Sequence, residues 1–286
     1  MAMCTVCFRH CQIEEGGIGF CGARTCRNGV VSAANYGKVT SLALDPIEKK
    51  PLNRFYPGSL ILSVGSYGCN LRCPFCQNHE ISWSKEAMRF EKEADSISPG
   101  KLAETAAYYR NRGNIGLAFT YNEPLIGYEF VRDTAKLVHE KGMKNVLVTN
   151  GSAELSVLEE LVPYVDAMNI DLKGFTDRYY HDVLQGNRKM VMDFIAGAVN
   201  ICHVELTTLI VPGENDREEE MEELSAWIAG LTKEKDAGER GSIPLHISRF
   251  FPRFQMQDRN ATNIRWVYHL AEIARKNLQY VYTGNC

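Results

Sequence analysis

The sequence predicts an α/β fold: a partial TIM-type barrel of six strand–helix units, (β/α)6, behind an N-terminal cysteine-rich extension. Strand-like apolar runs alternate with helical patterns from about residue 59 onward, and such alternation is typical of a parallel sheet. Eight of the ten cysteines lie in residues 4–76, which sets the two parts of the chain apart. The 286 residues and the 45% hydrophobic content suit one barrel with an extension, or two domains. We therefore expect a metal-binding module at 1–57 and a barrel domain at 58–286.

Each predicted strand is a short apolar run, and each predicted helix carries apolar residues at helical spacing. The first strand reads Ser59-Leu60-Ile61-Leu62-Ser63-Val64. The six strands are expected at about 59–66, 115–121, 144–149, 166–172, 204–211 and 244–250. The helices are expected at about 99–111, 124–142, 154–163, 176–199, 216–231 and 260–277. The turn-rich stretch from Asp45 to Pro51 is a candidate linker before the barrel.

Charge and hydrophobicity argue against several classes of protein. A net charge of −3 and a pI of about 6.2 give no overall electrostatic case for binding nucleic acid or an anionic membrane. No apolar run reaches the roughly 18 residues of a membrane helix, and the first residues do not read as a secretory signal. Without an export signal, the cysteines are better interpreted as metal ligands than as disulfides. We expect a cytoplasmic protein.

Cys69, Cys73 and Cys76 form a C-x3-C-x2-C triplet close behind the first predicted strand. A cubane iron–sulfur cluster normally takes four thiolates, so three thiolates on one loop leave one iron open to bind a substrate. The alternative is a zinc site that borrows a fourth ligand such as Cys202 or His79, although structural zinc sites usually use C-x2-C pairs. The spacing therefore favours an open [4Fe-4S] cluster with a chemical role.

Four further cysteines, Cys4, Cys7, Cys11 and Cys21, lie on the glycine-rich N-terminal stretch. Four thiolates close a tetrahedral zinc site, and they can equally hold a second, auxiliary iron–sulfur cluster. His10 is a substitute ligand, and Cys26 is left over. Closed coordination of either kind indicates a structural or electron-transfer role.

Polar side chains recur where the predicted strands end. They comprise Asn122 and Glu123 after the second strand, Asn150 after the third, Asp171 and Lys173 at the end of the fourth, and His246 on the sixth. In barrels of parallel strands the active site gathers at the carboxyl ends. We therefore expect these residues to meet near the cysteine triplet.

The triplet, with Phe75 inside it, resembles the signature of radical S-adenosylmethionine enzymes. The stretch from Asp45 to Ser59 and the motifs at 76–78, 120–124, 171–173 and 246–252 are similar to the AmmeMemoRadiSam group. That group is in turn similar to pyruvate formate-lyase activating enzymes, and the likeness spans nearly the whole chain.

The resemblance implies a set of contacts to S-adenosylmethionine. Asn122 and Glu123 would lie near the methionine amino group, although Tyr121 and Asn122 stand where the family has two glycines. Lys173 would pair with the methionine carboxylate and Asp171 with a ribose hydroxyl; the alternative for these two is a structural ion pair. The Phe75 ring would pack on the nucleobase. Asn150 and His246 would contact the ribose or adenine, and the alternative for His246 is a histidine satisfied within the fold.

The resemblance also implies an oxidoreductase activity. The expected reaction is reductive cleavage of S-adenosylmethionine to a 5′-deoxyadenosyl radical that removes a hydrogen atom, with a glycyl-radical enzyme as the protein partner and flavodoxin or ferredoxin as the electron donor. One alternative is radical modification of another small molecule or macromolecule. An alternative of a different class is an iron–sulfur electron carrier or redox sensor that catalyses no reaction.

Overall fold

The computed structural model describes residues 1–231 and 241–286. Its N-terminal part consists of short antiparallel strand pairs joined by turns. β1 (Ala2–Met3) pairs with β2 (Gln12–Ile13), and β3 (Arg24–Arg27) pairs with β4 (Val30–Ala33). These pairs are too short to bury much apolar surface by themselves, so this part depends on packing against the rest of the chain.

A mostly parallel open sheet forms the centre of the fold, as the sequence predicts. Its strands are β6 (Ser41–Pro46), β7 (Leu60–Gly65), β9 (Asn114–Phe119), β10 (Lys144–Thr149), β11 (Ala167–Asp171), β12 (His203–Ile210), β13 (Leu245–Arg249) and β14 (Val281–Gly284). Across the described residues the strands lie in the order β14-β13-β12-β11-β10-β9-β7-β6. The two remaining short strands, β5 (Lys38–Val39) and β8 (Asp95–Ser96), pair with each other. The six predicted strands are confirmed, and β14 adds a further parallel strand at one edge.

The other edge of the sheet corrects the sequence interpretation of the stretch from Asp45 to Pro51. This stretch is not a linker, because β6 pairs antiparallel with β7 over its whole length and continues into a 3-10 turn at Ile47–Lys49. The boundary at residue 57 stays a prediction, but strand pairing already extends the sheet to residue 41.

The longer helices pack against the sheet, and two four-residue helices precede the first of them. The helices are α1 (His79–Ser82), α2 (Phe90–Glu93), α3 (Pro99–Tyr108), α4 (Tyr128–Glu140), α5 (Leu155–Leu161), α6 (Arg188–Ala198), α7 (Glu218–Gly230) and α8 (Ile264–Arg275). Side chains such as Leu117, Leu147 and Met168 join them in the main hydrophobic core. No helix in the described ranges has the length and apolar character needed to cross a membrane.

The single helix predicted at 176–199 is wrong. A π-helical turn at Tyr179–Val183 is followed by a break, and α6 begins only at Arg188, where the Asn187 side chain accepts from Met190 N at 3.0 Å. Gly186 lies in the break, where a Cβ atom would come within 2.8 Å of Leu71. The break thus lets this segment pack against the loop that carries the cysteine triplet.

The opposite face of the sheet is filled by the segment after β6. Ile47, Leu52 and Phe55 pack there against Ala118, Val146 and Ala167, which are aligned on neighbouring strands. The small alanine side chains leave room for the segment. It closes one end of the inner face and leaves the carboxyl ends of the strands as the place for a site.

Candidate active site at the carboxyl ends of the strands

The cysteine triplet lies on the loop that follows β7. Residues 66–78 consist of turns and irregular backbone, and within them Cys76 N donates to Cys73 O at 3.1 Å. Cys73 is 8% exposed, and Cys69 and Cys76 are partly buried. The loop is held from a second side because Arg72 N donates to Leu184 O at 2.9 Å. The triplet thus lies at the carboxyl edge of the sheet, where the sequence predicts it.

Amide groups point at one of the three sulfurs. Leu71 N lies 3.4 Å and Asn150 Nδ2 3.7 Å from Cys69 Sγ. Donors of this kind stabilise metal-bound thiolates and tune the potential of iron–sulfur clusters. Burial raises the pKa of Cys69, and it raises the pKa of Cys73 to about 12 although the nearby Lys173 ammonium opposes the change. The thiols need a bound cation in order to ionise at neutral pH.

As the side chains stand, no three His, Cys, Asp or Glu residues within 1–231 and 241–286 are arranged to hold a metal ion. A cysteine can reorient its sulfur by rotation about one torsion, so the sulfur positions seen here are not fixed. Cys202 lies just before β12, at the amino end of the sheet. It is thus separated from the triplet by the length of the strands, which removes it as a fourth ligand.

Gly68 fixes how closely the triplet loop approaches the N-terminal part. Its φ is +93°, and a Cβ atom there would come within 2.7 Å of Ala23 Cβ and 2.8 Å of Cys21 O. We expect Gly68→Ala to destabilise the fold by about 2–3 kcal/mol through strain and overpacking and to lower iron binding at the triplet. Gly58→Ala is the matched control, because Gly58 has a similar φ of +79° but open space around its Cβ position. Urea unfolding and iron analysis check this; equal effects of the two substitutions would show that the close contact is unimportant.

The motif after β9 braces the triplet loop. Asn122 Oδ1 accepts from Ser66 N at 2.9 Å, and its Nδ2 donates to Tyr67 O at 3.1 Å. Glu123 is 2% exposed. Burial raises the pKa of the Glu123 carboxyl to about 7, although the hydrogen bonds that the carboxylate accepts act to lower it. These side chains hold the loop in place at the predicted site.

Glu123 joins two strand ends. Its carboxylate accepts from Leu125 N at 3.0 Å, Thr149 Oγ1 at 2.6 Å and Asn150 N at 2.8 Å. Asn150 in turn donates from Nδ2 to Asn70 Oδ1 at 2.9 Å. A chain of hydrogen bonds thus runs from Glu123 to the cysteine loop, and the structure brings Asn122, Glu123 and Asn150 together with the triplet.

Asp171 is the last residue of β11 and forms an ion pair with Lys173, whose Nζ lies 2.7 Å from Asp171 Oδ2. The Asp171 side chain is 31% exposed and the Lys173 side chain 17% exposed, so both remain accessible to a ligand. Burial opposes the charge on Lys173, but Asp171 and Cys73 outweigh it and raise the lysine pKa. The pair therefore supplies one fixed cation and one fixed anion beside the triplet.

Phe75 is 7% exposed and packs edge to face on Phe250, with the ring centroids 6.3 Å apart. Phe250 follows β13, and Gln255 N reaches back to Pro74 O at 2.9 Å. The segment after the sixth predicted strand therefore covers the triplet loop through these contacts.

His246 does not join this site. Its Nε2 lies 2.6 Å from Glu205 Oε2, and both side chains are buried. Glu205 also accepts from the backbone amides of Asn53 and Arg54, which belong to the segment that fills the inner face of the sheet. The structure thus gives His246 the alternative role, a histidine satisfied within the fold, in place of the contact that the resemblance implies.

The sequence interpretation missed a polar cluster that holds the motif after β9. Tyr121 has a left-handed backbone, with φ of 74°, and its hydroxyl donates to Asp45 Oδ2 at 2.8 Å. Lys50, 2% exposed, pairs with the same carboxylate oxygen at 2.8 Å. The signal was present, since Asp45 and Lys50 lie in a motif on which the resemblance rests, but only the fold shows that they meet Tyr121.

The N-terminal cysteines also come together. Cys4, Cys7, Cys11 and Cys21 line one small cavity, and Cys21 O accepts from Cys69 N at 3.1 Å. Cys26 does not line this cavity; it is fully buried, with its sulfur 3.9 Å from Glu15 Oε2. The four N-terminal cysteines and the Cys69–Cys76 triplet are therefore two distinct groups that lie next to each other.

The chain is similar to known proteins over much of its length. Residues 63–225, from β7 to α7, match the model of the radical SAM superfamily. An uncharacterised protein of Methanocaldococcus jannaschii is 39% identical over 285 residues, which cover 99% of this chain and 80% of that protein. The pyruvate formate-lyase-activating enzyme of Clostridium pasteurianum is 28% identical over 165 residues, 57% of this chain and 67% of that enzyme.

The fold has solved counterparts. Streptococcus suis SuiB bound to S-adenosylmethionine aligns with a TM-score of 0.56 at 12% identity, over 77% of this chain and 47% of that one. At this identity the likeness concerns the fold, and it agrees with the predicted partial barrel and with the mostly parallel open sheet described above. With the family model covering more than half of the chain and the triplet at the expected strand end, this chain belongs to the radical SAM superfamily.

Proposed function

We propose that this enzyme binds a [4Fe-4S] cluster through Cys69, Cys73 and Cys76 and cleaves S-adenosylmethionine reductively. Bound there, the cluster would supply an open iron and one electron. Cleavage of the sulfonium would then give methionine and a 5′-deoxyadenosyl radical, which would take a hydrogen atom from a substrate and become 5′-deoxyadenosine. The observation that carries the proposal is the position of three cysteines on one loop beside the accessible Asp171–Lys173 pair. A cluster site for electron transfer alone has no need of such a pair.

The residues around the triplet have distinct proposed roles. Lys173 offers a cation to the methionine carboxylate, and Asp171 an acceptor to a ribose hydroxyl. Glu123 already accepts three hydrogen bonds, so we assign it the positioning of Thr149 and Asn150, with at most one remaining acceptor site for the methionine amino group. Phe75 supports the nucleobase side through its packing on Phe250.

For the substrate we propose a glycyl-radical enzyme, which this enzyme would activate by removing a hydrogen atom from a glycine. Support comes from the 28% identity with a pyruvate formate-lyase-activating enzyme and from the motifs that this chain shares with the AmmeMemoRadiSam group, which is similar to such enzymes. Flavodoxin or ferredoxin is the proposed electron donor. The cytoplasmic location stays a prediction.

Anaerobic reconstitution tests the cleavage step. The protein is loaded with iron and sulfide, reduced with dithionite and given S-adenosylmethionine, and 5′-deoxyadenosine is measured by chromatography. We expect product that requires both protein and reductant. A fully loaded cluster that yields no 5′-deoxyadenosine under these conditions would instead support an electron carrier or redox sensor.

A further inference from the structure

The N-terminal cysteines surround a space of limited size. Cys4, Cys7, Cys11 and Cys21 line a cavity of about 10 Å³, close to the roughly 10–15 Å³ that one water molecule needs. Of the two candidate occupants, a single metal ion needs the smaller space, and a cubane of four irons and four sulfides needs far more than this cavity offers.

The backbone around the cavity is tightly folded by its own hydrogen bonds. Cys4 N donates to Cys11 O at 2.9 Å, and His10 N donates to Cys7 O at 3.1 Å, with His10 in a left-handed conformation. The β1–β2 pair closes the same turn. These bonds hold the first three cysteines on one compact turn, which is the form that a single tetrahedral ion requires.

A buried donor on the cavity wall independently indicates a ligand. Arg24 lines the cavity and is 5% exposed. Its Nη1 pairs with both carboxylate oxygens of Glu129, at 2.6 and 2.7 Å, yet its Nε has no hydrogen-bond partner among the residues that the structure describes. Buried N–H groups of this kind are normally satisfied, and a metal-bound thiolate is an acceptor of matching charge.

Charge also agrees with a four-thiolate ion. A divalent ion with four thiolates carries a net charge of −2, and burying that charge requires nearby cations. Arg9 and Arg24 both line the cavity. Arg9 is fixed there by its Nε bond to Asn70 O at 3.0 Å.

We propose that Cys4, Cys7, Cys11 and Cys21 bind one divalent ion of the zinc type, and that Arg24 donates from Nε to one of the four thiolates. The ion is structural, because four protein ligands leave no open position. It also steadies the triplet loop, since Cys21 O accepts from Cys69 N and Arg9 holds Asn70 O. The proposal does not rest on radical chemistry and stands or falls separately from it.

Metal analysis of a variant without the triplet is the first test. The full chain with Cys69, Cys73 and Cys76 replaced by alanine is purified from medium containing both zinc and iron, under anaerobic conditions, and its metals are counted by mass spectrometry. We expect one zinc per chain and no iron. About four irons per chain with labile sulfide, and no zinc, would overturn the proposal in favour of an auxiliary cluster; absence of both metals would overturn it as well.

Thiol protection in the wild-type chain avoids the risk that a variant fails to fold. The zinc-loaded protein is alkylated before and after removal of zinc by a chelator, and the modified cysteines are mapped. Partly exposed Cys11 is the informative site: we expect protection that is lost with the metal, while exposed Cys286 is alkylated in both states. Equal labelling of Cys11 in the two states would contradict its role as a ligand.

Substitutions assign the ligands. Cys7→Ser is expected to lose the zinc and Cys286→Ser to retain it. Arg24→Lys keeps the positive charge but removes Nε, and we expect zinc affinity to fall by about 10- to 100-fold, as for other donors to metal ligands. Unchanged zinc affinity in Arg24→Lys would contradict the proposed hydrogen bond. Zinc retained by Cys7→Ser would contradict the proposed metal site.

Discussion

Replacing Cys73 with alanine is expected to abolish both iron binding at the triplet and formation of 5′-deoxyadenosine. Cys73 is the most buried of the three cysteines and lies beside the Asp171–Lys173 pair. Two thiolates cannot hold a cubane cluster on this loop, so no electron reaches S-adenosylmethionine. We expect the iron content after reconstitution to fall by about four per chain and the product to fall to the level of a reaction without protein.

A conservative cysteine control separates this effect from general thiol loss. Cys286 is exposed at the end of the chain, so Cys286→Ala should keep both iron and product at wild-type levels. Circular dichroism and the urea midpoint of Cys73→Ala show whether the fold survives. A folded Cys73→Ala protein that still cleaves S-adenosylmethionine would mean that Cys73 is not a ligand of the cluster.

The central strands and the triplet could be predicted from local patterns. Strands β7 and β10 each contain a short apolar run, Leu60–Leu62 and Val146–Val148, as expected of strands with a buried centre. Cys69 and Thr149-Asn150 follow these runs. Since parallel strands place their carboxyl ends at one edge, the convergence of Asn122, Glu123, Asn150, Asp171 and Lys173 followed from element order alone. The structure has this arrangement.

The edges of the sheet could not be predicted in the same way. β6 ends in Asp45-Pro46, which reads as a turn, and its strand character comes from antiparallel pairing with β7 after the chain has folded back. The break before α6 likewise depends on the approach of Gly186 to Leu71, a contact between segments far apart in the sequence. Tertiary contacts decided both cases against the local pattern.

The hydrogen-bond partners of buried polar groups were also beyond what the sequence could predict. Asp171 and Lys173 lie together, as the ion-pair interpretation of these two residues allowed. No pattern linked His246 to Glu205, 41 residues away on the neighbouring strand. A histidine near a strand end is chemically suited to either role, and only the position of the acceptor decides between them.

Replacing Glu205 with alanine is expected to destabilise the fold by about 3–5 kcal/mol, the usual cost of leaving a buried network without its charged centre. Glu205 is fully buried and accepts from Asn53 N, Arg54 N, His203 Nε2 and His246 Nε2 at 2.6 to 3.0 Å. Without the carboxylate these donors lose their acceptor, and the segment that fills the inner face of the sheet loses its anchor. Urea unfolding near pH 7 measures the difference. Glu222→Ala, on the exposed side of α7, should change stability by less than about 0.5 kcal/mol.

The pH dependence of unfolding provides an independent check of the same group. Burial alone raises the pKa of Glu205, but the donors from His203, His246 and the two backbone amides outweigh it and lower the pKa to about 2. Because the folded-state pKa lies below the unfolded value of about 4.3, the carboxylate contributes about 3 kcal/mol above that pH and loses this contribution as the pH falls toward 2. The wild-type protein should therefore lose more stability than Glu205→Gln between about pH 4.3 and 2, the range bounded by the unfolded and folded pKa values. Parallel pH profiles for the two proteins, or a loss below about 1 kcal/mol in Glu205→Ala, would mean that the inner face is held mainly by the apolar packing of Ile47, Leu52 and Phe55.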